Sequence, residues 1–435
     1  MKKELLVTAL AGLISVSGCA KKPATEDAET VKESASAEAP QASSKCEQAA
    51  DAEISAEDWT KANNDFGFNM LRKTSGSAVV SPYSAERALG MIHDGACGDT
   101  GAEMRAALSL PNAKNLSASG AEIEKSMLIK PEEGEEADPG APVIHIDNRV
   151  WADASLTLKD PYVSEVKANY TATPTNVSFS GDPEAARKLI NDDIAKSTEQ
   201  KIQDLIPSGA INSLTRLVLT NAVYFKGSWK DNFNADNTKK EKFAAVDGEQ
   251  EVDMMHHKRS HRVYQDDAMT AFEMRFNGNY SLIVMLPKVE DNAKGAEALA
   301  AVEKTLTADK LAKILDEAQP TQVNLSMPKF RIETSAPLTE MLKSLGMNKA
   351  FSTDADFSRM SNTELFVSSV LQKAYIDINE NGAEAAAATA GIMMMRAAMP
   401  IPAEPLTITV DHPFDYVLIE TSHNTAIFVG RVEKI

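Results

Sequence analysis

The sequence "TNAVYFKGSW" at residues 220–229 continues an apolar run, "TRLVL", that is rich in leucine and valine. β-Branched and aromatic residues without helical spacing predict a β-strand here. Similar runs follow towards the C-terminus: "YSLIVMLP", "TQVNLSMPKFRIE", "ELFVSSVLQKAYIDIN" and "LTITVDHPFDYVLIETSHNTAIFVGRV". In the last run, "SHNT" separates two strongly apolar arms, which predicts a hairpin within a buried sheet. The C-terminal half is therefore predicted to be rich in β-structure.

The N-terminal third shows helical spacing instead. In "AEDWTKANNDFGFNMLRKTS", Trp59, Ala62, Phe66 and Met70 recur at the interval of an amphipathic helix. A second helix is predicted behind Ser84 in "SAERALGMIHDGA", and a third in "DPEAARKLINDDIAKST" behind an Asp-Pro start. Because helices and strands are segregated rather than alternating, and no internal repeat is present, one α+β domain is predicted.

Composition and motifs exclude several classes of function. The 435 residues carry a formal net charge of −18, which argues against nucleic acid, heparin-like polyanions and anionic lipid surfaces as main partners. The sequence contains no Walker loop, no dinucleotide glycine fingerprint and no nucleophile elbow. We therefore expect no cofactor.

A histidine cluster, "HHKRSH", contains His256, His257 and His261. Lys258 and Arg259 within it would repel a cation, and carboxylates are not interleaved with the histidines. We interpret the cluster as a solvated turn and expect no metal site.

The N-terminus is typical of an exported protein. "MKKELLVTALAGLISVSGC" has two lysines, a short apolar segment and small residues before Cys19, so residues 1–18 are predicted to be a signal peptide. The ending "VSGC" resembles the bacterial lipobox, which implies cleavage before Cys19 and lipidation of its thiol. Ordinary cleavage without a lipid is the alternative. We expect an exported bacterial cell-envelope lipoprotein that faces the periplasm or the cell surface, or is released from the cell.

Residues 19–54 contain almost no large apolar residue and are predicted to form a disordered tether, which leaves residues 55–435 as the folded domain. Cys46 and Cys97 remain after lipidation. They could form a disulfide in an exported protein, or both could stay thiols, because their spacing does not decide between the two.

The stretch "NENGAEAAAATAGIMMMRAAMP" at residues 379–400 combines two unlike patterns. Its alanines favour a helix, but Gly382 in front and Gly391 behind interrupt that helix. Arg396 is the one lysine or arginine among the 57 residues between Lys373 and Arg431. The apolar, proline-punctuated sequence around it suits an extended loop that a protease cleft could bind, and an alanine-rich surface helix with a linker is the alternative.

Several motifs in order make the chain resemble the serpin family from about Trp59 to the C-terminus. "TNAVYFKGSW" is similar to the family's strand-three motif, "SPYSAERAL" to its Ser-Pro-x-Ser element, and "DHPFDYVLIE" with "NTAIFVGRV" to its C-terminal strands. "NENGAEAAAATA" resembles the hinge of inhibitory members. The resemblance implies an α+β serpin domain of three β-sheets and about eight or nine helices with an exposed reactive-centre loop.

The resemblance also implies a suicide inhibitor, not an enzyme. In the family a protease cleaves the loop as an acyl-enzyme, and the cut loop inserts into the central sheet and traps the protease. In the family the cleaved bond follows the seventeenth residue counted from the hinge glutamate, so the resemblance implies cleavage at Arg396–Ala397. Met395 is the alternative, because the return segment is long. The expected partner is a trypsin-like serine protease. The implied hinge residues are Glu380, Gly382, Ala383, Ala385, Ala387 and Thr389.

Alternatives to this function stay open. They are a non-inhibitory serpin that acts as a binding or carrier scaffold, an inhibitor of arginine-preferring cysteine proteases, and a membrane-attached hydrolase. The acidic insert "KPEEGEEADPG" lies where some relatives carry a basic cofactor helix, so heparin is not expected as a partner. We expect a monomer.

Two groups of residues are implied to control opening of the central sheet. Glu380 and Lys329 resemble the family's ion pair where the loop enters the sheet, with Trp229 packing nearby. Ser81, Ser84 and Asn221 resemble a polar cluster beneath the strands. Gln372 stands where many members carry a histidine, which puts in doubt any pH sensitivity based on that histidine.

Overall fold

A computed structural model describes residues 52–127, 141–170, 172, 174–383 and 404–435. Several predicted features lie outside these residues: the signal peptide, the acidic insert, Cys19, Cys46, Ala385, Ala387, Thr389, Met395, Arg396 and Ala397.

Capping residues set where the first helices begin. The α-helices of the described part of the chain are α1 (Ala56–Leu71), α2 (Pro82–His93), α3 (Gly98–Ala107), α4 (Leu116–Met127), α5 (Asp160–Tyr170), α6 (Pro183–Ser197), α7 (Gly295–Glu303), α8 (Ala308–Glu317) and α9 (Leu338–Ser344). The side chain of Ser55 caps α1 by accepting a hydrogen bond from the N–H of Asp58. Ser81 caps α2 and a proline follows it, so α2 begins three residues earlier than predicted.

The strands follow the predicted β-runs and continue beyond them. They are β1 (Ala78–Val80), β2 (Val143–Asp153), β3 (Thr175–Val177), β4 (Leu217–Ser228), β5 (Lys239–Ala245), β6 (Gly248–Gln265), β7 (Met269–Arg275), β8 (Tyr280–Pro287), β9 (Gln319–Pro328), β10 (Phe330–Pro337), β11 (Ser369–Asn379), β12 (Gly382–Ala383), β13 (Leu406–Thr409), β14 (Phe414–Glu420) and β15 (Thr425–Val432). The predicted C-terminal hairpin is β14 and β15, which pair antiparallel.

The strands form a nine-stranded and a six-stranded sheet among the described residues. The larger sheet has the order β1-β15-β14-β8-β7-β6-β9-β13, with β5 also paired to β6. The long strand β6 joins two halves, because its first part pairs with β5 and its last residues pair with β7. If these halves are counted separately, the domain has the three sheets that were predicted. The smaller sheet has the order β10-β11-β12-β4-β2-β3, with β11 also paired to β4.

Helix α2 occupies the space between the two sheets. It contacts β15 of the larger sheet and both β2 and β4 of the smaller one. Helix α1 packs beside it, and its predicted apolar face, Trp59, Phe66 and Met70, is fully buried. Burial of this face against the sheets explains why the helical period of the N-terminal third was readable from the sequence.

The folded part begins within the stretch predicted as a tether. The carboxamide of Asn115 accepts a hydrogen bond from Ile54 N–H at 2.8 Å and donates one to Ile54 O at 2.9 Å. The side chain of Ile54 is buried. Cys97, which directly precedes α3, is disulfide-bonded.

The histidine cluster is not a turn, so this interpretation was wrong. All three histidines lie within β6, whose side chains alternate between two faces. They are partly buried rather than solvated. The many polar residues of this strand hid its period from the sequence.

Candidate functional site

The site lies along the seam between β4 and β11, at the centre of the smaller sheet. These strands pair in parallel from Val218 and Ser369 to Tyr224 and Tyr375. Beyond this point they separate, and β12 lies between them with antiparallel pairing to each. The sheet is therefore closed along most of the seam, and a third strand has started at its upper end.

The two residues of β12 are selected by lack of space. Gly382 has φ +136°, and a Cβ atom at this position would lie 2.0 Å from the carbonyl oxygen of Gly227. Only glycine satisfies both the backbone angle and the contact. The side chain of Ala383 is fully buried, so a charged side chain would meet the core there.

An ion pair fixes Glu380, which lies between β11 and β12. Lys329 Nζ lies 3.1 Å and 3.2 Å from the two carboxylate oxygens of Glu380. Thr238 donates its hydroxyl proton to the same carboxylate at 2.8 Å. Burial acts to raise the pKa of Glu380, but the bonds from its own backbone, Thr238 and Lys329 outweigh burial and lower this pKa. Glu380 is therefore held as a carboxylate; Thr238 was not identified from the sequence.

Residues 229–233, which we call the hinge clasp, hold three consecutive carbonyl groups of the hinge. Trp229 donates from its indole nitrogen to Asn379 O and from its backbone N–H to Asn381 O, both at 2.9 Å. The N–H of Phe233 donates to Glu380 O at 3.0 Å. These bonds fix the backbone from which β12 begins.

The clasp is supported from below by aromatic packing. Trp229 stacks on Phe276 with 4.0 Å between ring centroids. Phe233 stacks on His257 with centroids 4.1 Å apart and planes within 6°. Phe233 and Phe276 belong to no motif in the sequence, and the histidine cluster that contains His257 gave no sign of this role. The roles of all three residues depend on contacts between distant segments.

A buried polar cluster crosses the seam beneath the sheet. It joins the four predicted residues, Ser81, Ser84, Asn221 and Gln372, which are buried, to the partly buried Asn148, which the sequence did not indicate. Asn221 donates to Ser84 Oγ and to Asn148 Oδ1. Asn148 lies on β2 directly opposite Asn221, and nothing in its local sequence distinguishes it.

Gln372 is the member of this cluster that reaches across the seam from β11. Its Nε2 donates to Ser81 O at 2.9 Å and to Asn221 Oδ1 at 2.7 Å, and its Oε1 accepts from Ser81 N–H at 3.1 Å. The amide therefore satisfies two acceptors and one donor in the closed sheet. None of the five residues of the cluster titrates near neutral pH.

Among the residues described, no three potential metal-ligating side chains converge on one point. No helix in the described ranges is long and apolar enough to cross a membrane.

The motifs and this seam can be compared with known proteins. A family model described as serpin (serine protease inhibitor) matches residues 61–435.

The chain is a serpin.

Its relatives extend over most of the chain. An uncharacterized serpin-like protein of Thermococcus kodakarensis is 34% identical over 377 residues, covering 85% of this chain and 84% of that protein. The leukocyte elastase inhibitor of Equus caballus is 32% identical over 394 residues, covering 86% and 99%. The structure of thyroxine-binding globulin in complex with thyroxine matches this serpin with a TM-score of 0.74 at 25% identity, over 87% and 99% of the two chains. The relatives of this serpin thus include an elastase inhibitor and a thyroxine-binding protein.

Proposed function

We propose that this serpin is a suicide inhibitor of trypsin-like serine proteases, cleaved at Arg396–Ala397. The observation that carries the proposal is the position of β12. Two residues of the predicted hinge, Gly382 and Ala383, already form backbone pairs with both β4 and β11. The remainder of a cleaved loop can extend this strand into the seam.

The side chain that enters the seam first is compatible with insertion. Ala383 is fully buried as part of the hydrophobic core. In a strand, alternate side chains face the same way, so Ala385, Ala387 and Thr389 would follow Ala383 towards the core. All three are small and uncharged. A charged or bulky series would favour a non-inhibitory serpin instead.

The energy of insertion is sufficient to drive a large conformational change. A new central strand of about a dozen residues gains roughly ten hydrogen bonds of about 1 kcal/mol each, besides apolar burial. This sum is comparable with the whole stability of a typical domain, about 5–15 kcal/mol. The uncleaved state is then held by a kinetic barrier, which the clasp and the polar cluster of the seam contribute to.

Arg396 is the residue from which we infer the class of protease. It is an isolated basic residue in a long apolar stretch, and a trypsin-like pocket binds arginine through an acidic group. An arginine-preferring cysteine protease is the alternative target. A binding scaffold is the alternative function, since one of the structural relatives binds thyroxine.

We also propose that the protein is exported and attached to the bacterial cell envelope through a lipid on Cys19. The apolar segment and the "VSGC" sequence support this location. A disulfide at Cys97 is compatible with an oxidising compartment.

The deciding experiment mixes the full chain with trypsin and follows the products on denaturing gels and by mass spectrometry. We expect an adduct that resists denaturation and a released peptide that begins at Ala397. Arg396→Ala should abolish both, whereas replacing the exposed Arg359 by alanine should change neither. Cleavage after Arg396 without an adduct would show a substrate only, and would favour the binding scaffold.

A further inference from the structure

Two histidines of β6 form a hydrogen-bonded pair beneath the hinge clasp. His257 Nε2 lies 2.9 Å from His261 Nε2, and His261 Nδ1 lies 2.9 Å from the carbonyl oxygen of Glu273. A carbonyl group can only accept, so the hydrogen-bond network assigns the proton of His261 to Nδ1 and leaves its Nε2 as an acceptor. His257 therefore donates from Nε2. A proton taken up by His261 at Nε2 would remove the acceptor of this bond, and one taken up by His257 at Nδ1 would create a donor on a buried atom that has no hydrogen-bond partner among the described residues.

The pair contacts the clasp through one aromatic ring. The imidazole of His257 lies flat against Phe233, whose ring is itself buried. The backbone N–H of Phe233 holds Glu380 O. A change in the position of His257 is therefore transmitted to the hinge through a single intervening residue.

The charged groups around the pair leave little compensation for an added proton. On β7, the carboxylate of Glu273 forms ion pairs with two arginines: it lies 3.2 Å from Arg275 Nε and 4.0 Å from Arg262 Nη1. From the clasp, Asp231 lies 4.0 Å from Arg259, which stands between the two histidines on the same face of β6. Lys230 lines the same cavity as the two histidines and adds a further positive charge to it.

Protonation of the pair is opposed by these surroundings. Burial, followed by the neighbouring His261 and Arg259, lowers the pKa of His257 to about 3. Burial also lowers the pKa of His261, against the raising effects of Glu273 and Asp231.

We propose that the His257–His261 pair is a pH-sensitive lock on the hinge clasp: neutral imidazoles support Phe233, and protonation in mild acid releases the clasp and frees the hinge. The inference rests on the proposed function in one respect, that a mobile hinge matters for inhibition. The effect of pH on the clasp does not depend on inhibition and can be measured in the uncleaved protein.

The direction of the effect follows from proton linkage. In the released state a histidine has its ordinary pKa near 6.5, which is higher than its pKa in the closed clasp. Above pH 6.5 both states are neutral, so the histidine contributes no driving force for release. Below this pH the released state binds more protons. For one histidine, each unit by which the pH falls then shifts the equilibrium between closed and released clasp about tenfold towards release. His261 acts in the same direction.

Hydrogen exchange of the amides of Trp229 and Phe233 tests the lock without any protease. Protection factors are compared at pH 7.5 and pH 5.0 after correction for intrinsic exchange. We expect those of the unmodified chain to fall at least about 30-fold, which corresponds to 1.5 pH units below 6.5 for one histidine. In His257→Phe, which keeps a flat ring against Phe233 and cannot titrate at this position, the fall should be clearly smaller, because only His261 remains to take up a proton.

His256→Gln is the matched control. His256 is adjacent in sequence but points to the other face of β6, where it meets Ser326 and Glu241, so this variant should behave as the unmodified chain does. If His257→Phe does not fold, His257→Gln keeps a donor to His261 without taking up a proton. Unchanged protection in the unmodified chain, or a fall in both His257 variants as large as that in the unmodified chain, would overturn the lock. Either result leaves the test with trypsin unaffected.

Discussion

At the scale of single residues, the space around Gly382 explains how β12 can lie in the seam. The backbone of Gly227 approaches so closely that no Cβ atom fits. Backbone atoms cannot move aside as a flexible side chain can. Because glycine carries only a hydrogen in place of a side chain, it allows β12 to lie in the seam.

Gly382→Ala should accordingly hinder loop insertion. We expect more protein molecules to be consumed per trypsin molecule inhibited, because insertion is delayed and the acyl-enzyme has time to hydrolyse. Titration of trypsin activity measures this ratio. Gly248→Ala is the control, since Gly248 has a similar φ of +129° but has no atom within 4 Å of the added Cβ. An unchanged ratio in Gly382→Ala would contradict the role given to this contact.

Glu86 on α2 shows a residue-scale effect on stability. Its side chain is only 3% exposed, and burial raises its pKa to about 8. The folded state therefore favours the protonated form. Glu86 makes its full contribution to the free energy of unfolding below pH 4.5, which is near its pKa in the unfolded chain. This contribution is lost as the pH rises towards 8, by about 1.4 kcal/mol per pH unit.

Glu86→Gln should thus stabilise the protein most at the alkaline end. We expect the free energy of unfolding in urea at pH 8 to rise by a few kcal/mol, with a smaller gain at pH 5. The same change at the exposed Glu122 serves as the control and should have little effect. An equal gain at both pH values would show that the carboxyl group is not protonated in the folded protein.

At the scale of elements, the sequence predicted where strands lie better than it predicted which strands pair with each other. "TRLVLTNAVYF" and "ELFVSSVLQKAYIDIN" were recognised as β-runs and form β4 and β11. Their parallel pairing joins distant segments, which local periodicity cannot show. The resemblance to serpins implied a central sheet into which the cut loop inserts, but not the pairing of these two strands. The contribution of Asn148 depended on its position opposite Asn221 on β2, which no local motif marks.

The polar cluster links these elements and should stabilise the closed seam. Gln372→Leu would leave Ser81 N–H, Ser81 O and Asn221 Oδ1 without the bonds that they make in the closed sheet. We expect a loss of about 2–5 kcal/mol in the free energy of unfolding, measured in urea. Replacing the exposed Gln322 on β9 by leucine should cost less than about 0.5 kcal/mol. A loss no larger than this control would show that the cluster contributes little.

At the scale of the whole molecule, the closed seam is an incomplete structure. β4 and β11 pair with each other, although β12 shows that the sheet can accept a strand between them. Insertion replaces one set of backbone bonds by two sets, so the uncleaved protein is expected to be less stable than its cleaved, inserted form. The clasp, the ion pair of Glu380 and the polar cluster together oppose that change before cleavage.

Cleavage at Arg396 should therefore raise the stability of the protein. We expect the midpoint of thermal unfolding to increase by at least about 10 °C, because roughly ten hydrogen bonds are gained in a domain of this size. Ala383→Arg should fold, since the hinge can leave the seam, but its cleaved form should gain little, because insertion would bury an unpaired guanidinium group. Ala301→Arg, at an exposed position of α7, should show the full increase. Equal midpoints before and after cleavage of the unmodified chain would mean that the loop does not insert, and the seam would then serve a binding scaffold rather than an inhibitor.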